Sequence, residues 1–251
     1  EDLWRKMGVS LRYRLASLQL EEHPASLDQH IANVEALEPA APFLSLSPLM
    51  HGAGLMMALL MIAQGTAVVT LPGEKFDADA ALDVIEAHGV SWLVLVGDAF
   101  ATPLLEALER RPGEAPLASL STLVSSGASI SAETRDGLLR HQPGLKLLDT
   151  LGSSESSGYA LSTPEAGVFS PLPGTRILDD QLRDLEPGGD TIGMVYWGGY
   201  QPVGYYRSPE KSAETFVEIE GRRYVMTGDR CTLREDGNLV LLGRDSTVIN
   251  T

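Results

Sequence analysis

Asp77-Ala78-Asp79-Ala80-Ala81-Leu82-Asp83-Val84-Ile85-Glu86-Ala87-His88-Gly89-Val90-Ser91-Trp92-Leu93-Val94-Leu95-Val96-Gly97-Asp98 is the stretch from which the fold class can be read. Asp77 to His88 has helical character, and Gly89 is placed to close the helix. Val90 to Val96 follows as a continuous apolar strand, and Asp98 opens a second helix that runs to about Arg110. The same alternation extends in both directions. Upstream, Phe43 to Ser47 is expected to be a strand. Pro48 to Gly54 then turns the chain into an apolar helix from Leu55 to Gln64, ended by Gly65, and Thr66 to Leu71 is short and β-branched, hence a strand. Downstream come a strand at Leu123 to Ser125, a helix around Ala132 to His141 and a strand at Leu145 to Asp149. Apolar strands separated by helices predict an α/β fold, with a parallel sheet covered by helices on both faces.

The two ends of the chain have a different texture. Leu3, Trp4 and Met7 form a helical stripe with no capping residue before it. Ser26-Leu27-Asp28-Gln29 matches a capping box, and Leu27, Ile31, Val34 and Leu37 follow at helical spacing. Beyond Gly158, Pro and Gly become frequent and the strands short. Glu235-Asp236-Gly237-Asn238 lies between Cys231-Thr232-Leu233 and Leu239-Val240-Leu241, which predicts a hairpin with a type I′ turn at Asp-Gly. The expected division is an α/β part over 1–173, a small antiparallel β unit over 174–242, and a short segment over 243–251.

Composition narrows the function classes. The chain has 251 residues, 43% of them hydrophobic and 21% charged, which suits a folded domain with a sizeable core. Its formal net charge of −15 argues against nucleic acid or an anionic membrane as the main partner. Local donors and a cation can still hold a nucleotide on such a surface. Cys231 is the one cysteine, so no internal disulfide can form. The longest apolar run, Ala53 to Ala63, falls short of the ~18–20 residues a bilayer span requires. No targeting segment is visible at Glu1 to Lys6, and a cytoplasmic protein is expected. The histidines and the cysteine show no zinc-ligand spacing.

Chemistry is expected outside the carboxyl ends of the strands. There the sequence places Asp149-Thr150-Leu151-Gly152-Ser153-Ser154-Glu155-Ser156-Ser157-Gly158, a turn rich in backbone and hydroxyl groups with one carboxylate in its middle. Such a turn can approach a phosphate, and the carboxylate beside it can hold Mg2+. It can also be an ordinary strand exit. Gly152 to Ser156 lacks the second Gly of a G-x-S-x-G nucleophile elbow, which counts against a serine hydrolase.

Further stretches accompany it in order. They are Pro48 to Gly54, Ser125-Ser126-Gly127-Ala128-Ser129-Ile130-Ser131, Gly204-Tyr205-Tyr206-Arg207-Ser208-Pro209-Glu210-Lys211 with Thr215-Phe216, Tyr224-Val225-Met226-Thr227-Gly228-Asp229, and Gly243-Arg244-Asp245-Ser246-Thr247-Val248-Ile249-Asn250. Together they resemble the adenylate-forming superfamily of acyl-CoA synthetases, luciferases and non-ribosomal peptide adenylation domains. The likeness is greatest to actinobacterial-type synthetases acting on fatty acids or steroid side chains.

That resemblance implies a reaction in which a carboxylic acid and ATP give an acyl-adenylate and pyrophosphate, after which CoA displaces AMP. It implies that Ser154 contacts the α-phosphate, that Glu155 binds Mg2+, and that Asp229 accepts both ribose hydroxyls; by its chemistry Ser153 could add a donor where charge builds on the phosphate. Arg244 matches a cation near the ribose and phosphate. Gly127-Ala128-Ser129 and Asp149-Thr150-Leu151-Gly152 match strips that border adenine. His51 matches a residue at the mouth of the acyl pocket, with Gly97 and Asp98 in the same region, and Ser246 falls on the hinge to a C-terminal lobe. Other readings of the same residues stay open. His51 suits a helix cap, Lys211 and Glu210 suit a solvated helix face, and Arg244 suits any nearby carboxylate.

The chain departs from the family pattern in lacking the Ser/Thr/Gly-rich phosphate loop and the C-terminal lobe. It is therefore expected to be a piece of a larger enzyme and inactive alone. A non-catalytic nucleotide- or acyl-binding module is the alternative. Leu151 stands where the family has an aromatic residue against adenine, and Ser246 where it has Asp or Lys.

Overall fold

The computed structural model describes residues 26–36, 40–71, 73, 75–156, 158–165, 167–199 and 201–244. The helical stripe at Leu3, Trp4 and Met7 and the expected hinge at Ser246 lie outside them. The described chain falls into two compact units, divided between Leu147 and Leu148.

The first unit alternates helix and strand. Its elements are α1 (Leu27–Glu35), β1 (Phe43–Ser45), α2 (Gly52–Ala63), β2 (Val68–Val69), α3 (Ala78–His88), β3 (Trp92–Leu95), α4 (Asp98–Glu109), β4 (Thr122–Ser126) and α5 (Ala132–His141). The strands run in the order β2-β1-β3-β4, and each neighbouring pair is parallel. β3 is central because its residues bury themselves most completely, Leu93 to Leu95 being almost solvent-free. Leu93 and Leu95 share one core with Leu44, Leu82, Ile85, Leu104, Leu108, Leu123 and Leu138. At about 1.5–3 kcal/mol for each large apolar side chain, this burial is the main force holding helices to sheet.

Local chemistry sets the helix ends. Ser26, Asp77 and Ser131 each accept a backbone N–H three residues on, satisfying donors that the first turn leaves unpaired. Gly89 closes α3 in the left-handed conformation, as its position predicts. On the surface, Arg110 and Arg111, just past the end of α4, reach Asp79 and Asp83 of α3.

The second unit is antiparallel. It contains β5 (Lys146–Leu151) from Leu148 onward, then β6 (Ala160–Ser162), β7 (Val168–Pro171), β8 (Thr175–Leu178), β9 (Gly193–Trp197), α6 (Pro209–Thr215), β10 (Phe216–Ile219), β11 (Arg222–Leu233) and β12 (Leu239–Arg244). The order is β5-β6-β7-β12-β11-β9-β8, with β10 also on β11. Tyr159, Phe169, Val195, Trp197, Val225, Cys231 and Leu239 form its main core. The expected α/β class, a parallel sheet followed by antiparallel strands, is what the chain adopts.

Four local expectations change. Thr66 to Leu71 yields only Val68–Val69 as strand, because the Thr66 N–H bonds the Met61 carbonyl and closes α2 instead. β1 stops at Ser45, whose hydroxyl turns back to the Ser47 carbonyl at 2.7 Å. The strand expected to end at Asp149 continues to Leu151, since Thr150 and Leu151 pair with Leu161 and Ala160 of β6. The hairpin at Asp236-Gly237 forms, but not through a type I′ turn. The Gly237 N–H bonds Arg234 O at 3.0 Å, the Arg234 N–H bonds Asn238 O at 2.9 Å, and of the turn residues only Gly237 has positive φ. This is the three-residue loop in which a type I turn is followed by a left-handed Gly. The Asp236 carboxylate accepts the Asn238 N–H at 3.0 Å and helps fix it.

Gly97 shows how tightly β3 feeds α4. Its φ is +55°, and a Cβ there would lie 2.7 Å from the Ala128 Cβ. Gly97→Ala is expected to destabilise the protein by about 1–3 kcal/mol. Urea unfolding would show it as a lowered midpoint, and an unchanged midpoint would contradict the steric argument.

Candidate functional site

In the first unit, three strand-to-helix turns carry the residues singled out in the sequence. The Gly97 N–H donates to Ser125 Oγ at 2.8 Å, and that hydroxyl donates to the Ala128 carbonyl at 2.6 Å. One buried serine at the end of β4 thus ties the exit of β3 to the exit of β4. Asp98 Oδ1 accepts the Ser131 N–H at 3.0 Å, adding a second tie. Gly127, Ala128 and Ser129 lie exposed between them. A Cβ on Gly127 would come within 4.0 Å of the His51 ring. His51 caps α2, its Nδ1 accepting the Ala53 N–H at 3.3 Å, so the capping role is realised beside the Gly127 turn. The structure therefore brings together His51, Gly97, Asp98 and Gly127 to Ser129 at the carboxyl ends of parallel strands, where α/β sheets bind ligands.

In the second unit, Glu155 stands in the turn after β5. Ser153 and Ser156 build this turn: the Ser153 N–H meets Ser156 Oγ at 3.1 Å, and the Glu155 N–H meets Ser153 Oγ at 3.2 Å. Ser156 is buried and Ser154 exposed. The Tyr205 hydroxyl donates to Glu155 Oε1 at 2.5 Å. Burial would raise the Glu155 pKa, but the hydrogen bonds from Tyr205 and Ser153, the local backbone and the charge of Lys211 outweigh it and leave the pKa below the ordinary carboxylate value. Glu155 is thus kept as an anion. Burial raises the pKa of Tyr205, and its bond to Glu155 adds to the rise.

Asp229 lies on β11 directly opposite Arg244 on β12. The carboxylate is buried, yet Arg244 grips both its oxygens, Nε to Oδ1 at 2.7 Å and an η nitrogen to Oδ2 at 3.1 Å. Tyr159, itself buried, donates its hydroxyl to Oδ2. The Asp229 N–H meets Thr227 Oγ1 at 3.2 Å, and that hydroxyl donates to the Val195 carbonyl at 2.8 Å. The β11 register shifts between Met226 and Arg230 against β9, which re-aims this stretch of the strand. The hydrogen bond to Asp229 chiefly raises the Arg244 pKa, so the guanidinium stays charged.

Asp149, Thr150 and Leu151 sit on β5 rather than in a turn, and Asp149 is buried, its N–H bonded to Ser162 Oγ at 2.9 Å. Gly152 begins the turn proper. Tyr159 and Tyr205 were not among the residues singled out in the sequence, although Tyr205 lies inside the Gly204 to Lys211 stretch. Lys211 is exposed but not merely solvated, its ammonium lying 4.6 Å from the centre of the Tyr205 ring.

The AMP-binding enzyme family matches residues 22–206, more than half of the chain. The chain belongs to the AMP-binding enzyme family. The medium-chain acyl-CoA ligase Mig of Mycobacterium avium is 34% identical over 99% of this chain and 46% of its own. A medium/long-chain-fatty-acid–CoA/3-oxocholest-4-en-26-oate–CoA ligase of Mycobacterium tuberculosis is also 34% identical, over 100% of this chain and 45% of its own. The chain thus spans about half the length of the curated relatives it matches. Among solved structures, the non-ribosomal peptide synthetase FmoA3 in its AMPPNP-bound form superposes with a TM-score of 0.74 at 25% identity, over 87% of this chain and 25% of that one. Among the described residues no helix is long and apolar enough to cross a membrane.

Cys231 is fully buried in the core beside Asp229, and burial, reinforced by that negative charge, pushes its pKa up to about 12. A thiol reagent at pH 8 is expected to leave it unmodified in the folded protein and to label it in urea. Rapid stoichiometric labelling of the folded protein would contradict its burial.

Proposed function

We propose that the protein containing this chain is an ATP-dependent, AMP-forming acyl-CoA ligase acting on a hydrophobic fatty or steroid-type carboxylic acid. In the first step the carboxylate oxygen attacks the α-phosphorus of ATP and pyrophosphate leaves, giving the acyl-adenylate. In the second the CoA thiol attacks the acyl carbonyl, loses its proton and expels AMP. The observation that carries this reading is the 34% identity, along essentially the whole chain, to proteins named as acyl-CoA ligases.

The residues suit the parts. Ser153 and Ser154 would offer hydroxyls to the α-phosphate, where negative charge builds during attack. Asp229 would accept from the ribose hydroxyls, exchanging donors with Tyr159 and Arg244, and Arg244 would remain beside ribose and phosphate. Gly127 to Ser129 and Asp149 to Gly152 would border the base, with Leu151 giving apolar contact. His51, Gly97 and Asp98 would lie at the acyl entrance, and Ser246 at the hinge.

Glu155 fits Mg2+ by the chemistry of its donor set. It is a hard oxygen ligand kept ionised. Mg2+ is ordinarily held in this way, by one or two carboxylates with substrate phosphates supplying the rest. Once bound, the cation would offset phosphate charge. On this reading residues 1–173 are part of the large adenylation domain, 174–242 its small β subdomain and 243–251 the hinge, in a cytoplasmic enzyme.

The test is carboxylate-dependent pyrophosphate release by the full-length polypeptide, with Mg-ATP and a panel of short, long and steroid acids. Release with one acid class, followed by thioester formation, is expected. No release with any acid from folded full-length protein would favour a binding module instead. Glu155→Ala should lower release at least about 100-fold with the circular dichroism unchanged, and undiminished release would remove Glu155 from the reaction. Asp229→Ala should raise the KM for ATP, and an unaltered KM would take Asp229 out of the nucleotide site.

A further inference from the structure

We propose that Tyr205 is the positioning residue for Glu155, holding its carboxylate in the orientation from which it meets the cation that accompanies ATP. This deepens the ligase reading and rests on it for the identity of the cation.

The tyrosine is fixed on every side that could let it swing. Its N–H donates to Ser212 Oγ at 2.8 Å, and the same hydroxyl donates to the Ser208 carbonyl at 2.7 Å, so the start of α6 anchors the backbone. Gly204 permits this approach, since a Cβ there would lie 3.0 Å from Ser212 Oγ. The ring packs against Phe216 with centroids 5.7 Å apart, and the Lys211 ammonium covers it at 4.6 Å. Held in this way, the hydroxyl meets Glu155 Oε1 at 2.5 Å, fifty residues away in sequence.

Glu155 needs such a partner. It stands in a short turn, its side chain has three rotatable bonds, and it is only partly buried. A carboxylate carries two oxygens with about four acceptor sites. A donor on Oε1 selects one rotamer and still leaves acceptor capacity for a hard cation. Partners that hydrogen-bond a metal-ligating side chain orient it, and losing them typically weakens metal affinity roughly 10- to 100-fold. A tyrosine that merely tied α6 to the β5–β6 turn would stabilise the fold without altering how the site answers to a cation.

Calorimetric titration of the full-length protein with ATP, once in Mg2+ and once in EDTA and with no acid present, separates these roles. The readout is the ratio of the two affinities. In Tyr205→Phe the ratio is expected to fall roughly 10-fold or more while affinity in EDTA is kept. In a Glu155→Gln background the same substitution should change nothing further, because the two act through one contact. Phe216→Leu, which loosens the ring without removing the hydroxyl, should lower the ratio less than Tyr205→Phe.

An unchanged ratio in Tyr205→Phe would overturn the proposal, as would an equal fall in the Glu155→Gln background or wild-type protein with no Mg2+-dependent gain at all. Failure of the ligase reading looks different. Wild-type protein would then release no pyrophosphate with any acid, while a Tyr205-dependent ratio would still establish the positioning role.

Discussion

A carboxylate withdrawn from water must be met by donors, and the second unit is arranged around one such group. Asp229 is buried in the sheet, and its oxygens are satisfied by Arg244 and Tyr159. Leaving a buried charge unpaired costs several kcal/mol, so three strands are constrained at once. β11 must present Asp229, β12 must bring Arg244 opposite it, and the approach to β6 must bring Tyr159, the residue just before that strand. The register shift between Met226 and Arg230 belongs to the same arrangement, because it lets Thr227 hold the Asp229 N–H and stay anchored to Val195. A ligand hydroxyl arriving at Asp229 would meet a charged acceptor already held in place.

The first unit works by a different constraint. Parallel strands end together, and the loops that follow must fit side by side without leaving backbone groups unpaired. Ser125 solves this with one hydroxyl that accepts from Gly97 and donates to Ala128. The absence of a side chain at Gly97 supplies the space. His51 and Asp98 serve as caps or ties to neighbouring backbone, so the residues at this end of the strands are held by hydrogen bonds among the loops.

Much of the fold could be read from residues in order. The helices over Asp77 to Arg110 and Ala132 to His141 emerge because period, caps and closing glycines act within a few residues of one another. Strand ends were harder, since they depend on partners. Thr150 and Leu151 look like a loop until β6 arrives to pair with them, and Thr66 looks like strand until Met61 takes its N–H. Asp-Gly suits two hairpin loop lengths, and the choice between them lies in whether Arg234 and Asn238 close the ladder. In the candidate site, the charged residues carried sequence signals while their tyrosine partners did not. Tyr159 reaches Asp229 across 70 residues and Tyr205 reaches Glu155 across 50, separations at which no local pattern speaks.

The strand order of the second unit also bears on how the chain acquires its structure. In the first unit each strand lies next to a strand close to it in sequence, joined through a helix, so stable contacts can accumulate as the chain lengthens. In the second, β7 at Val168–Pro171 finds its outer partner only in β12 at Leu239–Arg244. Closing so long a loop carries an entropic cost that local contacts cannot offset early, and non-local pairing of this kind slows folding. During synthesis, therefore, the β7 edge is left open until nearly the whole of this sequence has left the ribosome, and that interval is when the unit is most exposed to pairing with other chains.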